Sequence, residues 1–324
     1  MQPEILIDGL NVFMRHYCAN PTVSLHNTQC GGILGFLRNI QHLCDRFRPH
    51  KMTIVWEGGG SSRRRAIEPN YKLGKRPVKL NRSGYYADRY DTKDNRDDQL
   101  KTLIEILKFI PVTQIYVNDC EADDIIGYIC RNKKDDRRKI IVTSDKDYYQ
   151  LLDDSTVVMR PTQKEILTKY DVTEKYNIHP NNFPIARAIE GDSSDNLKGV
   201  KGLGIKTVSK LFTRLKNEDF FELKDVFKIC EEKVKNEKNC GKSIHKILEN
   251  KELIEENYVL MQLQVTRISV QNQNVIHSIV EHNDSDFNQI FFLSELINCG
   301  LGKNNEYEEL KKNCRILSNK NWEV

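Results

Sequence analysis

Short apolar runs alternate with longer helix-period stretches over the first 160 residues. EILI around Ile5–Ile7, Met52–Trp56, Ile115–Val117 and Ile140–Thr143 have the length and β-branched content of buried strands. Between them, Ile33, Leu34, Leu37, Ile40, Leu43, Cys44 and Phe47 recur at helical spacing, as do Leu100, Leu103, Ile104, Leu107, Phe109 and Ile110. Buried strands alternating with amphipathic helices predict an α/β unit over residues 1–160, a mostly parallel central sheet flanked by helices. Residues 61–98 break the alternation with a polar, basic, tyrosine-rich insertion, and an insertion of that length in a compact unit is usually functional or disordered. From 161 to 324 the pattern turns helical. A glycine-punctuated segment, GDSSDNLKGVKGLGIKTVSKLF, occupies 191–212; the stretch 230–257 reads as charged helix, and the residues from about 303 on read as a polar, frayed end.

A chain of 324 residues with 39% hydrophobic and 30% charged residues has ample material for a buried core, which excludes a disordered or collagen-like chain. Its length suits about two domains. The formal net charge is only +4, so the distribution of charge informs more than its total. No apolar run approaches the roughly 20 residues that span a bilayer, and the N-terminus has no basic region followed by an apolar one. The nine cysteines show no Cys-x-x-Cys spacing, which suits reduced thiols and a cytoplasmic location.

The acids carry the chemistry. Asp8 follows the first strand and Glu57 the second. Glu121, Asp123 and Asp124 follow the third, and Asp145 and Asp147 the fourth. The carboxyl ends of parallel strands share one edge, where ligands bind. Any one of these acids, taken alone, reads better as a helix cap. All strands delivering acids together reads as a cluster whose mutual repulsion needs protons or cations. An all-oxygen donor set suits Mg²⁺ or Mn²⁺, and a pair of such ions supports in-line phosphodiester hydrolysis. Within EADD, Glu121 and Asp124 share a helix face while Asp123 projects elsewhere; Glu121 and Asp123 rank above Asp124 as direct ligands. A further pair, Asp192 and Asp195, lies in GDSSDN.

Two elements suit phosphate. Gly199, Gly202 and Gly204, with Lys201 and Lys206, precede a basic helix; six basic residues and no acid lie between Lys198 and Lys216, as in a helix-hairpin-helix over 191–216 that grips a DNA backbone. Residues 61–82 hold eight basic residues, including Arg63, Arg64, Lys72, Lys75 and Arg76, against the single acid Glu68. Tyr71, Tyr85, Tyr86 and Tyr90 could stack on unpaired bases. Gly31 and Gly32 open a helix and could leave N–H groups for a phosphate, or simply cap it.

The motifs LIDGLN, VWEGGG, RRRAIEPNYKLGKR, CEADDIIG, TSDKDYYQLL and GDSSDNLKGVKGLGIKT resemble, in order, those of the flap endonuclease and 5′→3′ exonuclease family, including bacteriophage members and the 5′-nuclease domain of bacterial DNA polymerase I. NYVLMQLQ at 257–264 matches more weakly. The resemblance implies a PIN-like core with a helical arch at 61–98 threaded by a 5′ single strand, and a helical DNA-binding region over 161–324. It implies one ion near Asp8, Glu57, Glu121 and Asp123, and a second near Asp123, Asp145, Asp147 and Asp195, with Asp192 acting through water and Asp124 in the acidic set. Lys72 with Lys75 or Arg76 would stabilise the scissile phosphate, Tyr71 would stack on a base, and the hairpin would hold K⁺. The chain departs from the family in having Glu57 where Asp is usual, and in placing Lys75 where the arch Arg often stands. The implied function is a two-metal, structure-specific 5′ nuclease of replication and repair. Its substrates would be flapped or nicked duplex DNA and RNA–DNA hybrid. It would be a monomer working in trans with a polymerase or single-strand-binding protein, in the nucleoid or, if viral, in the host cytoplasm. The rival readings are a non-catalytic DNA-binding scaffold, which has no use for so many clustered acids, and a PIN-type single-strand ribonuclease, which would lack the glycine-rich hairpin.

Overall fold

In the computed structural model, successive strand residues sort onto opposite faces of one sheet, as a period of two requires. Residues 1–73, 93–132, 136–236, 240–265, 267–282, 286–302, 307–320 and 322 are described. The strands are β1 (Glu4–Asp8), β2 (Lys51–Val55), β3 (Thr113–Ile115), β4 (Lys139–Val142), β5 (Thr156–Arg160) and β6 (Glu165–Leu167). Their order is β3-β2-β1-β4-β5-β6, parallel except for the antiparallel β5–β6 pair. The expected α/β architecture with a mostly parallel sheet is the one found. The third expected strand lies two residues earlier than its apolar run suggests, and β5 and β6 had no counterpart in that reading.

The helices are α1 (Gly9–Ala19), α2 (Gly31–Phe47), α3 (Ser62–Ile67), α4 (Lys93–Leu107), α5 (Ala122–Arg131), α6 (Lys169–Tyr176), α7 (Phe183–Glu190), α8 (Ile205–Leu211), α9 (Leu223–Asn236), α10 (Lys242–Glu249), α11 (Lys251–Met261), α12 (Val270–His282), α13 (Gln289–Asn298) and α14 (Glu308–Asn319). Ile5, Ile7, Ile140, Val142, Val157 and Met159 face one core with α1, α2 and α4. Leu6, Ile141 and Val158 face the other with α5, α7, α8 and α9.

One expectation is corrected. Of the end expected to fray, Glu308–Asn319 is helix α14, along which Leu310, Cys314 and Leu317 recur at helical spacing and are buried. Packing also runs across residue 160. Strand β6 extends the sheet beyond that point, and α13 and α14 join the core of α2 and α4 rather than the intervening helices. Of the insertion, Ser62–Ile67 is helix and Lys93 onward is already α4. Residues 74–92, with Lys75, Arg76 and the remaining insertion tyrosines, lie outside the described residues. No helix among the described residues is long and apolar enough to cross a membrane.

Candidate active site

The parallel register aligns Asp8 with Val55, Ile7 with Val142 and Val55 with Ile115. The chain therefore leaves β1, β2, β3 and β4 at one edge of the sheet. Asp8, the last residue of β1, caps α1 by accepting from the Asn11 N–H at 3.2 Å. Its other oxygen accepts from the Thr143 and Tyr148 hydroxyls, both at 3.2 Å. It is thus helix cap and cluster member at once. Glu57 follows β2 in a turn that only glycine permits at position 58, where a Cβ would lie 1.7 Å from the Val117 carbonyl oxygen. That close approach ties the Glu57 turn to the one feeding Glu121, through Gly58 N–H to Cys120 O at 2.8 Å.

Glu121 is the N-cap residue of α5, and Asp123 and Asp124 lie in its first turn. Arg64, only 1% exposed, pairs with all three, at 3.0 Å to Asp123 and to Asp124 and in a shorter contact with Glu121. Arg63 leans the same way, 3.8 Å from Asp124. Lys72 Nζ and the Tyr71 hydroxyl also donate to Glu121 Oε2, at 2.7 and 2.8 Å. On the other side Arg187, in α7, donates to Asp147 at 2.6 Å and to Asp192 at 2.5 Å. Asp195, close behind on the same loop, faces the Tyr71 hydroxyl at 3.4 Å.

Two guanidinium groups thus divide the acids. Arg64 takes Glu121, Asp123 and Asp124, and Arg187 takes Asp147 and Asp192. Asp8, Glu57, Asp145 and Asp195 make no ion pair with a guanidinium among the described residues. Burial, reinforced by neighbouring carboxylates, pushes Asp8, Asp145 and Asp195 up to about 6 and Glu57 up to about 8. Lys72 opposes that rise at Glu57 and Asp195. Asp147 is pushed up to about 7 by burial and by Asp145, and Asp124 to about 6 by burial and by Asp123. Burial would raise Asp123 and Asp192 too, but Arg64 and Lys72 hold the first below the usual carboxylate range, and Ser194 and Arg187 the second.

Open clefts of about 530 Å³ flank Asp145 on both sides. One is bordered by Asp8, Asn11, Arg15 and Glu57, the other by Asn11, Arg15, Arg187 and Asp192. Among the described residues no three acidic, histidine or cysteine side chains meet around a single point. The chemistry of the donors nevertheless fits hard divalent cations. Every donor is oxygen, and buried Glu121 Oε1 has no hydrogen-bond partner among the described residues. Asp8, Glu57, Asp145 and Asp195 are also raised by burial and by nearby carboxylates while having no guanidinium partner among the described residues, a state that a cation would relieve.

Several residues expected to touch DNA have partners within the protein. Arg64 is a buried counter-ion, not an exposed phosphate contact. Tyr71 is 4% exposed, and its hydroxyl donates to Glu121 and faces Asp195. The Gly32 N–H already donates to Gln99 at 2.9 Å, and a Cβ on Gly31 would lie 2.0 Å from the Asn20 carbonyl oxygen, so both glycines serve helix packing. Gly199 serves a close approach too, 1.8 Å from the Glu190 carbonyl by the same measure.

In the hairpin, Gly202 takes φ 87°, a left-handed turn that favours glycine. Gly204 is the residue before α8, whose first N–H, from Ile205, donates to Glu190 at 3.3 Å. Lys198, Lys201, Lys206, Lys210, Arg214 and Lys216 are exposed, as a duplex grip requires. The carbonyls of Lys198, Val200 and Lys201 accept from Asn257, Leu203 and Lys246.

Sequence reasoning missed Arg187, Arg15 and Asn257. A charged residue inside the apolar run FPIARAIE, one helical turn before GDSSDN, is the signal that could have found Arg187.

A family model for the N-terminal resolvase-like domain of 5'-3' exonuclease matches residues 3–177. The 5'-3' exonuclease of Buchnera aphidicola subsp. Schizaphis graminum is 31% identical over 222 residues, 67% of this chain and 72% of that protein. The DNA polymerase I of Caldicellulosiruptor bescii is 28% identical over 69% of this chain, which spans only 25% of that protein. A solved structure of T5 5'-exonuclease with bound zinc ions shares the fold. Its TM-score is 0.61 at 22% identity, over 92% of this chain and 99% of that one. With acids gathered at one sheet edge and a family match over more than half its length, the chain belongs to the 5'-3' exonuclease family and is a nuclease that hydrolyses phosphodiester bonds.

Proposed function

We propose that this chain is a divalent-cation-dependent, structure-specific 5′ nuclease with duplex DNA bearing a 5′ single strand as its partner. Flaps, nicks and RNA–DNA hybrids would be its substrates. The observation that carries the reading is the gathering of acids from separate segments at one sheet edge, with the Lys72 ammonium reaching into the same cluster. Asp8, Glu57, Asp123, Asp145, Asp195 and Glu121, through the Oε1 left without a partner among the described residues, would hold the ions. Asp147 and Asp192, pinned by Arg187, and Asp124, pinned by Arg64, would support them. When bound, such ions activate water and offset the charge that develops on the leaving 3′ oxygen. Lys72, with 39% of its side chain exposed, is placed to meet negative charge on the scissile phosphate. Arg15, on both clefts, would orient a neighbouring phosphate. The exposed lysines of the hairpin would hold the duplex through its backbone.

The test is Asp145→Asn combined with Asp147→Asn on a labelled 5′-flap duplex with Mg²⁺. Cleavage should vanish while duplex affinity persists; unchanged cleavage would refute the site. Sizing the products of flap, nicked, blunt and RNA–DNA substrates then assigns the substrate preference.

A further inference from the structure

Lys72 has φ 51°, a left-handed conformation that residues with a side chain rarely adopt. What holds it there is the loop carrying the last pair of acids. The Lys72 N–H donates to the Asp195 carbonyl at 3.0 Å. One side chain reaches the carbonyls at both ends of the turn, Asn70 O, which also accepts from the Leu73 N–H at 2.9 Å, and Leu73 O. Asn196 Nδ2 donates to Asn70 O at 3.2 Å and, in a shorter contact, to Leu73 O. Asn196 is itself left-handed, φ 61°, a conformation asparagine tolerates better than most. It follows Asp195 directly and precedes the strand of chain that enters the hairpin. The neck of that loop is closed behind it by Val200 N–H to Ile189 O at 2.8 Å, and by buried Asn257, whose amide bridges Ala188 O and Lys198 O.

We propose that Asn196 is a positioning residue for Lys72. Its amide brackets the left-handed turn, fastens the start of the basic insertion to the acid-bearing loop, and so keeps the ammonium beside Glu121. The inference rests on the reading above that Lys72 acts on the scissile phosphate. It adds that the residue linking Lys72 to the duplex-gripping side of the molecule is Asn196. Without the amide, the turn keeps its own Leu73 N–H bond to Asn70 O and only the Lys72 N–H bond to Asp195 O still ties it by backbone to the acid-bearing loop, so Lys72 can relax away from the cluster.

The variant of choice is Asn196→Gly, because glycine keeps the left-handed φ and removes only the amide. Asn196→Asp keeps the turn preference and removes the donor, and thermal unfolding checks both for folding. Each is compared with Lys72→Ala and with the Lys72→Ala/Asn196→Gly double variant, on a 5′-flap substrate and on blunt duplex. Asn196→Gly should lower kcat about tenfold or more, the order expected for a misplaced reacting group, and leave blunt-duplex affinity within about twofold. The double variant should be no slower than Lys72→Ala alone, since coupled residues are not additive. Wild-type turnover in Asn196→Gly, or losses that multiply in the double variant, would overturn the proposal. A Lys72→Ala variant with full turnover would overturn the reading of Lys72 itself and this inference with it.

Discussion

Replacing Arg64 with methionine should be among the most destabilising single changes at the site. Arg64 is 1% exposed and pairs with three carboxylates drawn from the start of α5. Removing one partner of a buried ion pair costs about 3–5 kcal/mol, because the remaining charge stays buried. Here three acids are left facing one another, so the expected loss lies toward about 5 kcal/mol. The loss should depend on pH. Asp124 is pushed up to about 6 by burial and by Asp123. That value is above its unfolded one, so this carboxyl favours the folded chain at low pH and opposes it once pH rises through 6. At pH 8 the variant therefore exposes the full repulsion, and at pH 5 much of it is removed by a proton. The assay is urea unfolding followed by circular dichroism at both pH values. Arg65→Met, an exposed neighbour on the same helix, is the control and should stay within about 0.5 kcal/mol of wild type. An Arg64→Met loss no larger than that of the control, or one equal at both pH values, would refute the counter-ion argument.

Three further outcomes follow from the same geometry. Asp8, Glu57, Asp145 and Asp195 all have folded values above their unfolded ones. In chelator the protein should lose stability as pH rises from 5 to 8, and Mg²⁺ should restore it; thermal unfolding across that range reads this. Asn257→Ala removes the donor shared by two carbonyls at the neck of the acid loop and should cost about 2 kcal/mol in urea unfolding; a loss below about 0.5 kcal/mol would mean the clasp is idle. Lys201→Ala with Lys206→Ala should lower the slope of log affinity for duplex against log salt by about 1.8, on the order of 0.9 per phosphate contact; an unchanged slope would remove the hairpin from the interface.

The legible parts of this molecule were those with a period. Ile5–Ile7 and Ile140–Val142 alternate faces, and Ile33 to Phe47 follow a helical stripe, so sheet, helices and the edge bearing the acids could be inferred from spacing alone. What stayed hidden depends on which way a single side chain turns. Arg63, Arg64 and Arg65 are successive residues of a helix capped by Ser61, about 100° apart. They cannot all face solvent, but nothing in the run says that Arg64 is the one that enters the acids. Tyr71 reads as a stacking residue, and nothing in its neighbours says that its hydroxyl meets Glu121. Helix α14 was hidden because charged flanks mask the spacing of Leu310, Cys314 and Leu317.

The central claim is that carboxylates from separate strands hold divalent cations where phosphodiesters are cut. Anomalous diffraction from crystals soaked in Mn²⁺ tests it most directly. The account predicts manganese peaks among Asp8, Glu57, Glu121, Asp123, Asp145 and Asp195. Well-ordered carboxylates at that edge with no anomalous peak among them would contradict it.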